Sequence, residues 1–189
     1  MNKIWNHFKT VCKHKYYVGK YCFMAGMPIR GILHDMSKFS PTEFIESVKY
    51  YQGNRSPIDA CKEINGYSKA WLHHKGRNRH HYEYWQDNFD SLANSDFKGE
   101  HHLKMPFKDA CELICDYLGA GQAYMGKNFT FKAEYEWWLN KISKPIAMNP
   151  HTKMFVNNVL YQLSQLNNPK IVLDKENLKW FYEIHSFKE

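Results

Sequence analysis

The sequence predicts an all-α fold, a helical bundle with additional helices toward the C-terminus, and three observations support this prediction. Apolar residues recur every three or four positions through most of the chain, whereas few runs alternate with the period of two that a half-buried strand requires. Serine–proline and methionine–proline pairs stand where helices would begin. The chain has 189 residues, 43% of them hydrophobic, which is enough for one folded domain with a buried core.

Glycine, proline and serine positions give the helix boundaries in the first half of the chain. Gly26 and Pro28 end a first helix, whose apolar residues return to one face. Ser40 followed by Pro41 is typical of a helix N-cap, and Glu43 three residues after the cap strengthens that signal. Such breaks predict helices at residues 2–25, 29–36, 41–51, 58–74 and 79–88.

The second half of the chain begins with a polar, irregular segment at residues 90–104 and then becomes helical again. Met105 and Pro106 open a strongly apolar helix that we expect to reach Tyr124. Proline and asparagine breaks separate three further helices, which are expected at residues 130–143, 150–167 and 174–187.

Charge and composition point to a small anionic partner. Lysine and arginine outnumber aspartate and glutamate by 26 to 19, which gives a formal charge of +7. The basic residues are spread along the chain without a block of five or six, so a dedicated nucleic-acid-binding tail is not indicated. A basic balance suits acidic partners such as nucleotides, nucleic acid or anionic lipid, and among these we expect a small anion that contains phosphate, with nucleic acid left open. The sequence indicates no particular oligomeric state.

The five cysteines argue against a disulfide framework or a zinc ribbon, because their number is odd and no two are spaced as C-x-x-C. No apolar stretch approaches the length needed to cross a bilayer, and the first residues lack the apolar run of a signal peptide. We therefore expect a cytoplasmic protein without a membrane partner.

Eleven histidines are present, and six of them follow an order that suits a metal centre. In chain order, these histidines and two aspartates are His14, His34-Asp35, His73-His74, His80-His81 and Asp116. Imidazole nitrogens and carboxylate oxygens suit transition metals such as Zn, Fe, Mn, Co and Ni. Helical bundles build such sites from side chains on several helices, so we expect one or two divalent ions here.

Some candidate ligands have rivals. His7 lies on the same helical face as His14, and either of the two could be the ligand from this helix. Asp116 lies among apolar residues, where an unpaired carboxylate would be costly to bury, whereas the first helical turn explains Asp109. The first member of each histidine pair is favoured. The expected ligand set is therefore His14, His34, Asp35, His73, His80 and Asp116.

The segment around the His-Asp pair reads Gly31-Ile32-Leu33-His34-Asp35-Met36-Ser37-Lys38-Phe39. It resembles the signature of the HD-domain superfamily of metal-dependent phosphohydrolases, which places the pair in an apolar-HD-x-x-K context. The resemblance implies an HD-domain-like helical bundle in which His14 is the first ligand and Asp116 the last. It also implies that Lys38 faces the substrate phosphate.

The segment departs from the superfamily pattern at three points. Ser37 stands where many members have glycine, and the spacing from His14 to His34 is short. Lys38 occupies the position where some nucleotidase branches carry a catalytic glutamate. These departures put the nucleotidase branches in particular in doubt.

Two further resemblances involve the histidine pairs. The layout is similar to binuclear branches of the superfamily, the cyclic-dinucleotide phosphodiesterases and inositol oxygenase, which add histidine ligands between the His-Asp pair and the last aspartate. Over its whole length the chain resembles most closely a family of short, functionally uncharacterised HD-like proteins. Residues 34–41 and 73–81 carry that resemblance, which implies no particular activity.

The function expected from these observations is hydrolysis of a phosphate ester or a nucleotide-like anion by a metal-activated water. Asp35, Lys38, Arg77 and Arg79 are the expected catalytic residues, since arginine and lysine offset charge on phosphate oxygens. Two alternatives stay open, a di-iron oxygenase-like oxidoreductase and a non-enzymatic helical binding protein. We expect residues 1–127 to form the metal-binding core and residues 128–189 to pack on it within a single structural unit.

Overall fold

The computed structural model describes residues 2–89 and 99–184 of the chain. Within these residues the protein is all-α, which confirms the predicted fold class. The α-helices are α1 (Lys3–Met24), α2 (Pro28–Leu33), α3 (Pro41–Tyr50), α4 (Pro57–Asn65), α5 (Lys69–Arg77), α6 (Phe107–Met125), α7 (Phe131–Ile142), α8 (Pro150–Leu166), α9 (Pro169–Val172) and α10 (Lys175–Glu183). Two short antiparallel strands, β1 (Gln86–Phe89) and β2 (Gly99–His102), pair as a ribbon, and single 3₁₀ turns occupy Met36–Phe39, Tyr82–Trp85 and Gly126–Asn128.

Helices α1 and α6 pack closely against each other and form the base on which the candidate site is built. All residues from 109 to 119 of α6 are buried, although Asp109, Glu112 and Asp116 carry carboxylates. These three residues share one face of the helix, so they must find cationic or hydrogen-bonding partners inside the protein. The two helices approach each other closely where Gly119 meets Val18, since a Cβ atom at Gly119 would lie 2.9 Å from the backbone nitrogen of Val18.

The chain leaves α2 at the His-Asp pair. Helix α2 ends at Leu33, three residues earlier than predicted, because His34 has an extended backbone and Asp35 a left-handed one with φ of 53°. A non-glycine residue in this region is uncommon and often belongs to a functional site. The break in the helix turns both side chains toward the same interior space.

Helix α3 begins as predicted, since the Ser40 side chain accepts a hydrogen bond from the Glu43 backbone at 3.4 Å. The single helix predicted for residues 58–74 is wrong. Gly66 ends α4 with a φ of 78°, and the side chain of Ser68 then caps α5. A left-handed glycine stops a helix even when the apolar spacing continues on both sides of it.

The helix predicted for residues 79–88 is also wrong. This segment forms a 3₁₀ turn followed by β1, and the indole of Trp85 donates a 2.7 Å hydrogen bond to the carbonyl of Arg79. Aromatic residues at helical spacing therefore pack here in a compact turn. Gly76 lies within α5 and does not end it.

The later helices follow the prediction, apart from the short α9, which was not predicted. In the segment predicted to be irregular, residues 99–102 form β2, whereas residues 90–98 lie outside the described part of the chain. The predicted helix at 174–187 corresponds to α10, and residues 185–187 are again outside the described part.

One buried core links both halves of the sequence. Leu113 and Leu118 of α6 belong to the same apolar cluster as Trp138 of α7 and Phe155 of α8. The division at residues 127 and 128 stays a prediction, and the two stretches share this core. None of the described helices is both long and apolar enough to cross a membrane.

Candidate metal centre

Histidine and carboxylate side chains from four parts of the chain converge in the interior next to α6. His14 comes from α1, His34 and Asp35 from the turn after α2, and Asp116 from α6. The remaining members are His74 of α5 and the pair that follows this helix, His80 and His81. The described residues thus form groups of histidines and acids that could hold a metal ion.

The first group consists of His14, His34, Asp35 and Asp116. Nε2 of His14 lies 3.1 Å from Oδ1 of Asp116 and 3.4 Å from Oδ2 of Asp35. Nε2 of His34 lies 3.3 Å from each of the same two oxygens, and the two histidine nitrogens are 3.4 Å apart. A tetrahedron with edges of this length has its centre about 2 Å from each corner, the usual distance of zinc from nitrogen or oxygen.

The second group consists of Asp35, His74, His80 and His81. Oδ1 of Asp35 lies 3.3 Å from Nε2 of His74 and 3.4 Å from Nε2 of His80. The imidazole rings of His80 and His81 contact each other with an angle of 47° between their planes and 4.3 Å between their centres. Asp35 therefore belongs to both groups, with Oδ2 facing the first and Oδ1 facing the second.

Several buried polar atoms of these groups have no hydrogen-bond partner among the described residues. They are Oδ1 of Asp35, Nε2 of His80 and Nε2 of His81, whereas Oδ2 of Asp35, which also has no hydrogen bond, is ion-paired with Lys38. Leaving such atoms unpaired in the interior costs free energy, and native proteins pair nearly all of them. These atoms converge on two neighbouring points, and a divalent cation at each point would satisfy them. The histidine and aspartate side chains therefore fit a metal centre.

Glu112 orients two of the histidines from the side of each ring that faces away from the metal position. Its Oε1 lies 3.0 Å from Nδ1 of His34 and 3.3 Å from Nδ1 of His80. Because a carboxylate only accepts hydrogen bonds, Nδ1 of each histidine carries a proton, and Nε2 is the nitrogen that is turned toward the metal position. His34, His80 and Glu112 also form a third geometric group, which we interpret as this supporting contact and not as a third ion site.

Glu43 supports the second group in the same way. Its Oε2 lies 2.7 Å from Nδ1 of His74, and its Oε1 lies 2.6 Å from Nδ1 of His73. His74 therefore presents Nε2 to Asp35, while His73 contacts the outer side of Glu43. The hydroxyl of Ser37 lies 3.2 Å from Nδ1 of His74 and adds a second polar contact.

The charges of the site are strongly coupled. Burial raises the pKa of Asp35, but His34, Lys38 and His74 together hold it well below its ordinary value. Asp116 has a lowered pKa for the same reason, since hydrogen bonds from His14 and His34 outweigh its burial. Both carboxylates are consequently ionised at neutral pH, the form that binds a metal.

The supporting carboxylate Glu112 is ionised as well. Burial raises its pKa, but the hydrogen bonds from His34 and His80 bring it to about 2. His81 has a pKa well below its ordinary value, because burial and the neighbouring His80 both disfavour its charged form. A neutral imidazole is the form in which histidine binds a metal.

A cavity of about 180 Å³ gives access to the site, and His14, His74, His81 and Asp116 lie in its wall. Lys38 lines the same cavity and places Nζ 2.5 Å from Oδ2 of Asp35. Burial by itself would lower the pKa of Lys38. The neighbouring carboxylates Asp35 and Asp116 together have the larger effect and raise this pKa above its ordinary value, so the ammonium group stays charged.

A second cavity of about 430 Å³ adjoins the first and shares His81 and Asp116 with it. Its aromatic wall consists of Trp71, Tyr82, Tyr117, Tyr124 and Trp137. Its cations are Arg55, Lys62 and Lys141, and its acids are Asp59, Glu83 and Glu134 in addition to Asp116. Nζ of Lys62 lies 4.4 Å from the centre of the Trp71 ring.

Some residues predicted from the sequence lie away from these groups. His73 belongs to none of the three groups, and His74 takes the place that was predicted for it. Arg77 is exposed, and Arg79 stacks on Trp85 and pairs with Asp109, so neither arginine lines the two cavities.

The two rival ligands considered above, Asp109 and His7, also lie outside the groups. Asp109 is engaged by Arg30 at 2.7 Å. His7 is buried with its ring against Phe44 and Tyr51. The wall of the smaller cavity includes His7, so this side chain borders the site without belonging to a ligand group.

Sequence reasoning missed His81, Glu112 and Glu43. Glu112 precedes Asp116 by one helical turn and shares its face, so the spacing alone could have identified it. Glu43 was explained by the N-terminal cap of its helix, which its backbone does form, and nothing in the sequence indicates the additional role of its side chain.

Comparison with known proteins gives a family and no activity. A family model described as "Family of unknown function (DUF5662)" matches residues 3–162. No curated protein and no solved structure matches the chain.

Proposed function

The chain belongs to the family of unknown function DUF5662, and from its site we propose that it is a metal-dependent phosphohydrolase. The observation that carries the proposal is the position of Asp35, whose two oxygens face two separate sets of histidines. A carboxylate shared in this way suits a pair of ions that act on one phosphate group.

The donor set favours divalent transition metals. His14, His34, Asp35 and Asp116 would hold one ion, and Asp35, His74, His80 and His81 would hold the other. Mixed imidazole and carboxylate ligands suit Mn, Fe, Zn, Co or Ni better than Mg or Ca, which prefer oxygen alone. When bound, such ions lower the pKa of a water molecule toward neutrality and offset the negative charge of a phosphate.

Residues of the chain supply substrate contacts beside the centre. Lys38 lines the smaller cavity with a charged ammonium group, and we assign to it the substrate phosphate. Arg77 and Arg79 line neither cavity, and we assign them no contact with the substrate. Glu112 and Glu43 hold the histidine rings in one tautomer, which keeps the centre preorganised.

The larger cavity suits the rest of the substrate. Its aromatic wall offers flat apolar surfaces for a ring, and Lys62 and Lys141 add positive charge beside them. We therefore propose a phosphate ester whose organic part is planar and nucleotide-like.

Hydrolysis of a panel of nucleotides and simple phosphate esters tests this function, with the protein loaded in turn with Mn, Fe, Zn, Co and Ni. We expect Asp35→Ala to abolish activity and Lys38→Met to lower kcat/KM by roughly 100-fold or more. Arg77→Gln is the matched control, because it removes a cation that lies outside the cavities, and it should retain activity. Full activity in Asp35→Ala would exclude the proposal.

A redox function is the second candidate, because the ligand set is large enough for it. The two groups supply seven histidine and aspartate ligands with a shared carboxylate, which also suits a di-iron oxidoreductase. Iron as the metal retained on purification, with a visible absorption band, would favour this candidate. A colourless protein that carries zinc or manganese would favour the hydrolase.

A further inference from the structure

The solvent side of α1 carries an apolar stripe that the metal centre does not use. Trp5, Phe8, Tyr16 and Phe23 are all exposed, Phe23 by 72%. At 100° per residue these positions fall within an arc of about 80° on the helix. The opposite face of the same helix holds the buried residues that pack on the core. Helix α1 is therefore apolar on two faces, one of them turned toward solvent.

The stripe continues onto the neighbouring segment. Ile29, Ile32, Leu33, Met36 and Phe39 are exposed on α2 and the 3₁₀ turn after it, Ile29 by 71%. The rings of Phe8 and Phe39 touch edge to face with their centres 6.1 Å apart, which joins the two parts. We call these nine exposed residues of α1, α2 and the turn the N-terminal apolar surface. Apolar surfaces of this extent usually mark an interaction site.

Lysines border the N-terminal apolar surface. Lys9, Lys13 and Lys20 are exposed and lie side by side along the edge of the stripe on α1. Residues 2–39 contain seven basic residues and a single acidic one, Asp35, which is buried in the metal centre. Among the described ion pairs, none joins Lys3, Lys9 or Lys20 to a carboxylate, whereas the ammonium of Lys13 donates a 2.8 Å hydrogen bond to the carbonyl of Ala123. The positive charge of Lys3, Lys9 and Lys20 is therefore available to an external partner.

We infer that the N-terminal apolar surface docks on a membrane that contains anionic lipids. A helix with aromatic and aliphatic residues on one side and lysines beside them lies in the headgroup region with its apolar side buried. Each lysine near an anionic leaflet adds to the attraction. The absence of a membrane-crossing helix among the described residues does not conflict with this, because surface docking requires none. The expectation of no membrane partner rested on the lack of a membrane-crossing stretch and of a signal-peptide run, and surface docking needs neither.

Charge favours a lipid surface over a second copy of the chain. Two copies that met through this surface would bring their lysine borders together, and like charges at an interface oppose association. An anionic membrane instead offers an apolar interior and a layer of negative charge in the arrangement that the surface requires.

Binding of the full-length, metal-loaded protein to vesicles tests the inference. We expect cosedimentation with vesicles of phosphatidylcholine containing about 30% phosphatidylserine, and little with phosphatidylcholine alone. High salt should weaken it. The variant Lys9→Gln/Lys20→Gln should bind about 30-fold more weakly. Trp5→Ser/Phe23→Ser/Ile32→Ser should lose binding, whereas Ile64→Ser/Leu166→Ser/Ile171→Ser, which removes exposed apolar residues elsewhere, should retain it.

Unchanged metal content and melting temperature would show that these surface variants are folded. Failure of the wild type to bind the anionic vesicles, or equal binding by the lysine variant, would overturn the inference. A wild-type dimer in sedimentation experiments that becomes monomeric in the Trp5/Phe23/Ile32 variant would also overturn it, because a second copy would then occupy the surface.

Discussion

Nδ1 of His34 lies 3.0 Å from Oε1 of Glu112, so one side of the imidazole is held by a carboxylate while the other faces the candidate metal position. The same oxygen lies 3.3 Å from Nδ1 of His80, a member of the other group. Glu112 consequently contacts one histidine of each group on the side away from the metal positions, whereas Asp35 belongs to both groups and faces the metal positions. This pairing means that one buried residue without a direct metal contact should influence both ions.

Replacing Glu112 with Gln should weaken metal binding at both groups. A neutral amide oxygen is a weaker acceptor than a carboxylate, and the amide nitrogen would face the Arg30 guanidinium that now donates to Oε2, so the tautomers and ring orientations are less well fixed. We expect metal affinity to fall by about 10- to 100-fold, measured by competition with a chromophoric chelator. Asp109→Asn, one turn earlier on the same face of α6, touches no histidine and should change affinity much less. Equal losses in both variants would contradict the role of Glu112.

The two members of the first histidine pair should behave differently. His74 presents Nε2 to Asp35 at 3.3 Å, whereas His73 contacts only the outer oxygen of Glu43. We expect His74→Ala to lose the ion of the second group and His73→Ala to keep both ions. Elemental analysis of the two purified variants distinguishes them, and a greater loss of metal in His73→Ala would show that the roles are reversed.

Gly119→Ala should destabilise the protein. The added methyl group would lie 2.9 Å from the backbone nitrogen of Val18, so α1 and α6 would have to move apart. Overpacking of this kind costs about 1–3 kcal/mol in the free energy of unfolding. Gly76→Ala in α5, where a methyl group meets nothing within 4 Å, is the matched control. It should leave stability unchanged or raise it by up to about 1 kcal/mol. Similar denaturant midpoints for the two variants would contradict the close approach of α1 and α6.

Glu134 should make the metal-free protein less stable as the pH rises. Burial, with a smaller contribution from Asp116, raises the pKa of this carboxyl to about 8. Between its unfolded pKa near 4.3 and about 8, the unfolded chain releases a proton that the folded protein keeps. Stability that is fully present at low pH is therefore lost as the pH rises through this window, on the order of 5 kcal/mol in total.

The neutral variant Glu134→Gln removes this titration. Relative to the wild type, its free energy of unfolding should be higher at pH 8 than at pH 5, measured in urea with a chelator present. An equal difference at the two pH values would mean that Glu134 is already ionised in the folded protein.

The long helices of the bundle could be predicted because their apolar spacing is regular and their ends carry clear signals. Helices α1, α6 and α8 agree closely with the prediction. The break at Gly66 and the turn at residues 82–85 could not be predicted, because apolar and aromatic spacing continues through both. In each case a left-handed glycine or tertiary packing overrides the local pattern.

The sequence already predicts that one site contains His14, His34, Asp35 and Asp116, because of their order along the chain. The choice between His73 and His74 could not be made in the same way. Adjacent residues on a helix point about 100° apart, and the rotation of α5 about its axis depends on packing that the sequence does not display. Glu112 could have been found, because it is one turn from Asp116 on a helix that is buried on all sides.

Metal content, measured on the wild type beside Asp35→Asn, tests the central claim most directly. Protein purified without added metal and then reconstituted with Mn, Fe or Zn should hold two equivalents of a transition metal. Because Asp35 belongs to both groups, the variant should lose tight binding at both, while Asp116→Asn should keep the ion of the second group. Wild-type protein that binds no metal under any of these conditions, or an Asp35→Asn variant that binds two equivalents, would contradict the account.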